Sequence, residues 1–257
     1  MAFNLASKVF TVTGGASGMG AATAKLLAQR GAAAVCIGDY NDSNFSAITA
    51  AVRQINAATS VVTTKLDVSS SRQVSSWISS VVSKFGRLDG SANVAGVPQV
   101  VGARARPAIL EETDESWRST MAVNIDGIMY CTREQVRAMV ALPKERRSIV
   151  NVASLASVLH TPDAYAYGAS KRACASFSSS VAKDMHGFGI RVNTVSPGAT
   201  LTPMMAEFFP GGGLESINKY EMEMLEPVDI ARAIVYLLSE ESDKISGINL
   251  PVGTGAP

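Results

Sequence analysis

The strongest constraint in this sequence of 257 residues is the way its apolar runs alternate in length. Short β-branched runs recur, and each is followed by a longer segment with helical spacing. Strands are predicted over 9–13, 34–38 with Asp39 at its end, and 61–66, from 88–92 to a stop at Gly96, within 147–153, over 190–195, and as a short strand within 245–252. Helices are predicted over 19–30, 45–57, from a cap at 69–71 through 77–85, and over 115–124, 127–142, 165–186 and 228–239. Asn41 or Asp42 can cap the second helix and Ser69 to Ser71 the third. Residues 97–109 and 202–220 read as irregular, and Pro251 marks the last strand as an edge or a strand end. Several strands are continuously apolar instead of alternating. Such strands are buried on both faces, as in a parallel sheet with helices on each side. The fold class expected is therefore α/β, a doubly wound parallel sheet of about seven strands. No linker, charge block or low-complexity segment divides the chain, so 1–257 reads as a single domain. Ligands of such a sheet bind at the C-terminal ends of its strands.

Composition removes several function classes. Apolar residues make up 47% and charged residues 18%, which excludes a disordered chain. Lys plus Arg number 23 and Asp plus Glu 22, a balance that recommends neither nucleic acid nor an anionic membrane as partner. No apolar run approaches the roughly 18 residues a membrane span needs. The run 9–12 is followed at once by glycines and reads as a first strand, not a signal peptide, so a cytoplasmic protein is expected. Cys36, Cys131 and Cys174 form no CxxC pair and read as small buried apolar residues. With only His160 and His186, the chain argues against a zinc site, and no metal is expected.

Between the first strand and the first helix stands Thr13-Gly14-Gly15-Ala16-Ser17-Gly18-Met19-Gly20. Glycines there let the chain turn sharply and approach a phosphate, and the helix N-terminus offers unpaired N–H groups. The glycines recur at 14, 18 and 20, which is not the common GxGxxG spacing, and no Gly-Lys-Ser or Gly-Lys-Thr follows. Asp39 ends the second strand, 19 residues beyond Gly20. A carboxylate there can accept from both adenosine ribose hydroxyls and would repel a 2′-phosphate. No basic residue in the turn or directly after Asp39 compensates, so NAD is favoured over NADP.

Tyr167 and Lys171 are four residues apart on the helix over 165–186, hence on one face. An ammonium beside a phenol favours phenolate, which suits a group that takes a proton from an alcohol or gives one to a carbonyl. Ser154 follows the fifth strand, so its hydroxyl faces the same crevice and can steer a substrate oxygen. Asn124 can hold water beside Lys171. Taken alone, a helical Tyr–Lys pair is usually surface decoration. Tyr165 competes as the phenol but lacks the four-residue spacing, and reads as a pocket wall or core residue.

Taken together these motifs resemble the short-chain dehydrogenase/reductase family in its form of roughly 250 residues, from about Leu5 to Val252. The family pattern TGxxxGxG matches Thr13 to Gly20, and its YxxxK matches Tyr167 to Lys171. Ser154 precedes Tyr167 by the usual 13 residues, and Asn93-Val94-Ala95-Gly96 matches the NNAG stretch with Val94 for the second Asn. Ala153 stands where another Ser is common, and Val252-Gly253-Thr254-Gly255 replaces the usual DGG-like turn. The resemblance implies a Rossmann-type fold and hydride transfer between a nicotinamide and a carbonyl or hydroxyl carbon. It implies catalytic roles for Asn124, Ser154, Tyr167 and Lys171. Cofactor contacts are implied for Gly14, Ser17, Gly18, Met19, Gly20, Asp39, Asp67, Val68, Asn93, Ala95 and Gly96. Tyr167, Lys171, Pro197, Gly198, Ala199, Thr200 and Thr202 complete that implied set. Assembly as a homo-oligomer, a tetramer or dimer, is implied as well.

Three stretches should line the substrate side: 97–109, 155–165 and 203–220. The last reads as a lid, with Met204, Met205, Phe208, Phe209 and the glycines 211–213. Arg104 and Arg106 can meet an anionic group on a substrate or simply face solvent, and His160 and Asp163 can contact substrate. A small molecule with a secondary alcohol or ketone on an apolar, possibly cyclic, skeleton is the substrate expected. Two other classes remain open: a same-fold biosynthetic enzyme performing isomerisation, dehydration or cyclisation, and a non-catalytic cofactor-binding or scaffold protein.

Overall fold

The computed structural model describes residues 5–99, 104–208 and 224–253. Seven parallel strands form one sheet in the order β3-β2-β1-β4-β5-β6-β7. They are β1 (Val9–Thr13), β2 (Ala34–Asp39), β3 (Ser60–Lys65), β4 (Gly90–Asn93), β5 (Arg147–Val152), β6 (Ile190–Pro197) and β7 (Asn249–Val252). The order reverses between β1 and β4, and Thr13 stands level with Gly38 on one side and Asn93 on the other. This is the switch point at which an open α/β sheet leaves a crevice for a ligand.

Successive side chains on each strand supply two cores, one on each face. Val12, Val35, Ile37, Val150 and Val195 pack under α1 (Gly18–Gln29), α2 (Phe45–Ile55) and α8 (Pro227–Leu238). Val9, Ala34, Cys36, Ile149 and Val192 face α3 (Ser71–Phe85), α5 (Gly127–Ala141) and α6 (Tyr165–Met185). Each fully buried Val, Leu or Ile contributes about 1.5–3 kcal/mol, so the alternation that fixes the faces also fixes the register.

Four expectations change. The helices predicted over 115–124 and 127–142 are one continuous run: α4 (Asp114–Met121), a π turn (Ala122–Asp126) and α5. No Pro interrupts it, and Asp126, just before α5, makes no side-chain cap. Gly127 instead permits close packing, since a Cβ there would stand 2.9 Å from Val68 Cγ2. The short last strand falls within 245–252 as expected, starting where Gly247 at φ +84° has turned the chain. It pairs with β6 alone, as an edge strand carrying proline can. Within the stretch read as irregular, Pro203–Phe208 form α7, with proline at the first helical position, where its missing N–H costs nothing. The remainder of the lid reading, 209–220, lies outside the described residues. The loop reading of 97–109 contains the start of a 3-10 turn, Ala108–Glu111. Capping of α2 also differs. Its N-cap is Asn44, without a side-chain bond, while Asn41 Oδ1 accepts from the Ser43 N–H.

Candidate active site

The glycine turn packs directly on the segment after β4. Gly14 has φ +63°, and a Cβ there would come within 2.9 Å of the Ala95 Cα, so only glycine allows the approach. Thr13 clamps the same junction: its hydroxyl accepts from the Val94 and Ala95 N–H groups at 3.1 and 3.2 Å. Ser17 is the N-cap of α1 but makes no side-chain cap, and no acid occupies the first turn. The donors and positive dipole end of α1 are thus left facing the crevice, as an anion requires. At its outer end, Asp39 accepts from the Ala16 N–H at 2.9 Å and the Asn41 N–H at 3.0 Å. Asp67 Oδ1 accepts from the Ser69 N–H at 2.9 Å and its hydroxyl at 2.6 Å.

Between these elements runs a groove of about 420 Å³. Gly14, Ser17, Gly18, Met19, Gly20, Asp39, Asp67, Val68, Ala95, Gly96 and Thr202 line it, as does Tyr40, which the sequence reading did not single out. A dinucleotide fits this donor set, with uncapped helix amides at the centre and a carboxylate at one end. Asn93 is not brought to the groove. Its side chain is buried in a network on the opposite side: Nδ2 donates to Gln135 Oε1 at 2.9 Å and Asn151 Oδ1 at 2.8 Å. Gln135 Nε2 returns a bond to Asn93 Oδ1 at 2.8 Å.

A smaller pocket adjoins the groove, lined by Ser154, Tyr167, Pro197, Gly198, Thr200, Met205 and, shared with the groove, Met19, Thr202 and Met204. Ser154 extends from the end of β5, and its Oγ accepts from the Ala156 N–H at 3.2 Å, leaving its O–H to donate. Lys171 is buried, with Nζ 5.5 Å from the Tyr167 ring centroid and donating to the Val152 carbonyl at 3.2 Å. Ala199 is held through its carbonyl, which accepts from the Leu225 N–H at 2.8 Å, and Thr200 Oγ1 donates to the Gly198 carbonyl at 2.9 Å. The cluster can therefore bind an oxygen beside the groove and exchange a proton with it.

Asn124 and Lys171 flank Gly96: a Cβ there would stand 3.1 Å from Asn124 Oδ1 and 3.4 Å from Lys171 Nζ. Asn124 Oδ1 accepts from the Val97 N–H at 2.8 Å, and its Nδ2 donates to the Val97 carbonyl at 3.0 Å and to Ser170 Oγ at 3.3 Å. The amide thus pins the strand-end segment next to Lys171. Arg104 pairs with Glu112 at 2.9 Å and lies 5.9 Å from the Tyr165 ring centroid; Arg106 grips Asp163 through two bonds, of 2.6 and 3.0 Å. Both arginines thus tie the 104–112 segment together and to the start of α6. His160 is exposed. Burial pushes the Cys174 thiol, one turn from Lys171, up to about 11, with Lys171 and a hydrogen bond to Ser178 opposing it, so it is no nucleophile. Thr13 was legible only as part of the glycine motif, and Gln99, whose Oε1 accepts from the Tyr167 N–H, carried no local signal.

The family model described as Enoyl-(Acyl carrier protein) reductase matches residues 14–256. Chanoclavine-I dehydrogenase of Penicillium roqueforti is 50% identical over 256 residues, 98% of each chain. The chanoclavine-I dehydrogenase of Aspergillus fumigatus is 48% identical, again over 98% of each. Among solved structures, levodione reductase superposes with a TM-score of 0.90 at 25% identity over 98% of each chain. A short chain dehydrogenase from Mycobacterium paratuberculosis bound to NAD does so with a TM-score of 0.82 at 26% identity, also over 98% of each. With the glycine turn, the groove and the Ser154–Tyr167–Lys171 cluster on one sheet edge, these matches place the chain in the short-chain dehydrogenase/reductase family, oxidoreductases that move a hydride between a nicotinamide and the carbon of an alcohol or carbonyl.

Proposed function

We propose that the chain oxidises an alcohol on a cyclic, largely apolar alkaloid, chanoclavine-I or a close analogue, with NAD as the hydride acceptor. The observation that carries the reading is the shared wall of the two cavities. Met19, Thr202 and Met204 line both, so a substrate held at Ser154 and Tyr167 abuts the groove. The relatives' substrate supplies the alkaloid, and the methionines suit it: Met204 and Met205 give an adaptable apolar surface. We assign α7 as the described part of a lid over that pocket.

Bound NAD supplies the hydride acceptor. Gly14 to Gly20 and the first turn of α1 hold its phosphates. Asp39 binds the adenosine ribose and disfavours a 2′-phosphate, which supports NAD over NADP. Ser154 donates its O–H to the substrate oxygen and fixes the alcohol's direction. Tyr167 takes the alcohol proton at its phenol oxygen. Lys171 sets its Nζ 5.5 Å from the centroid of that ring. Asn124 is a positioning residue that holds Val97, and with it Gly96, against Lys171. The three free, buried cysteines suit a reducing compartment and support a cytoplasmic enzyme. Exposed Leu110 and Trp117 near the start of α4 support a homo-oligomer.

The test is turnover of chanoclavine-I and a panel of simpler alcohols with NAD or NADP, followed by nicotinamide absorbance. Tyr167→Phe should lower kcat by about 10²- to 10⁴-fold while leaving NAD binding intact. Turnover retained in that variant would remove the acid/base assignment. Activity on small acyclic alcohols alone would remove the substrate reading.

A further inference from the structure

The first turn of a helix leaves N–H groups without intrahelical partners, and a side chain at the N-cap ordinarily takes one of them. The proton-transfer helix α6 lacks that device. Its N-cap is Ala164, with ψ 63°, and no side chain at that position caps it. The preceding acid, Asp163, has φ +61° and is engaged with Arg106. The N–H of Tyr167 itself is taken by Gln99 Oε1 at 3.0 Å, across 68 residues of sequence.

Gln99 is only 2% exposed and is anchored at its other end. Its Nε2 donates to Glu112 Oε1 at 2.7 Å and to Ser116 Oγ at 3.2 Å. Glu112 is fixed in turn by Arg104, and both side chains are nearly buried, at 8% and 9% exposure. Farther along the helix, Ser170 Oγ donates to the Tyr167 carbonyl at 2.7 Å and accepts from Asn124. Both backbone groups of Tyr167 are thus held from outside the ordinary helix ladder. One tether comes from the segment after β4 and the other passes through Asn124, which grips Val97 of that same segment.

We propose that Gln99 is a positioning residue for Tyr167, a cap supplied by the β4–α4 segment that sets the first turn of α6 and so aims the phenol at the oxygen held by Ser154. The proposal rests on Tyr167 being the acid/base group. It makes the segment that starts at the groove wall a mechanical part of proton transfer, without contact between Gln99 and the reacting atoms.

The test compares Q99M, which keeps the side-chain length and removes the acceptor, with Q99E/E112Q, which keeps an acceptor for the Tyr167 N–H and the net charge. In Q99M, kcat for alcohol oxidation should fall about tenfold, since small displacements of a reacting group are costly, while KM and NAD affinity stay within about twofold. Hydrogen–deuterium exchange of the Tyr167 amide should quicken by about tenfold or more, with the rest of α6 unchanged. Q99E/E112Q should restore kcat to within about threefold and restore slow exchange. Wild-type kcat in Q99M overturns the proposal, as does an equal loss in both variants or an unaltered Tyr167 amide. Should Q99M fail to fold, E112A withdraws the anchor while leaving Gln99 in place. It should show the same pattern with a kcat loss of about two- to fivefold, and wild-type kcat there overturns the proposal too. Turnover retained in Tyr167→Phe would instead strike the acid/base assignment, and amide exchange in Q99M would still report whether Gln99 holds that turn.

Discussion

Replacing Gln135 with leucine should destabilise the fold and loosen the groove at once, and the size of the effect follows from the buried network. Asn93 and Gln135 exchange two hydrogen bonds, of 2.9 and 2.8 Å, at positions with 1% and 0% exposure. In Gln135→Leu, Asn93 Oδ1 and one Nδ2–H lose their partners in a dry site. At about 1–3 kcal/mol for each orphaned group the loss is about 2–6 kcal/mol. Added apolar burial returns about 1 kcal/mol, leaving a net cost of about 3 kcal/mol. For a chain of this size that corresponds to a fall in Tm of about 6–12 °C. Asn93 ends β4 between Thr13 and Asn151, and the next two residues wall the groove. NAD affinity should therefore weaken by about three- to tenfold, since an imprecise wall lowers preorganisation. Thermal melting gives the first number. Quenching of Trp77, which packs beside Gly38 next to the groove, gives the second. A Tm within about 2 °C of wild type would mean that the network is not dry, and the reasoning would fail.

Two further outcomes are expected. Asp39→Asn should shift the ratio of kcat/KM for NAD and NADP by about tenfold or more toward NADP, and less so at high salt, because a charge repulsion is removed; an unchanged ratio would show that Asp39 does not face the ribose. Ellman's reagent should find no reactive thiol in the native protein and all three after denaturation. Burial raises Cys36 to about 12 against an opposing pull from Lys84, raises Cys131 to about 12, and raises Cys174 to about 11; one fast native thiol would contradict this.

The sheet was legible because several of its strands, β1 and β2 above all, are apolar on both faces. The predicted 9–13 coincides with β1, and 34–38 with Asp39 at its end coincides with β2. Tyr167 and Lys171 were legible for a local reason, since four residues is one helical turn. The side chain of Asn93 makes its bonds away from the groove, on Gln135 and Asn151. The pleat sends its side chain under the sheet, while Val94 and Ala95, just past the strand end, turn to the groove. Arg104 and Arg106 kept open readings because charge alone does not name a partner. Glu112 and Asp163 became visible only once the segment was folded. The π turn left no trace either, as its hydrophobic period is nearly that of the helix around it.

What topology adds is continuity between sites that the sequence reads separately. The sheet order sets β2, β1, β4, β5 and β6 side by side. Their C-terminal ends then present, in sequence along one edge, Asp39, the glycine turn, Gly96, Ser154 and the Pro197-Gly198 turn. The first three line the groove and the last two line the pocket, so the border falls between β4 and β5. Tyr167 reaches that border from a helix, not a strand, and its height above the edge is not set by the sheet's hydrogen bonds. A side chain fixed only by its helix inherits every shift of that helix along its axis. The ties from Gln99 and Ser170 to the Tyr167 backbone supply the missing reference, because both lead back to Val97 and neighbouring residues of the segment that leaves β4. Proton transfer and cofactor binding are thereby referred to the same strand end, which is the geometric condition a hydride transfer imposes on its two partners.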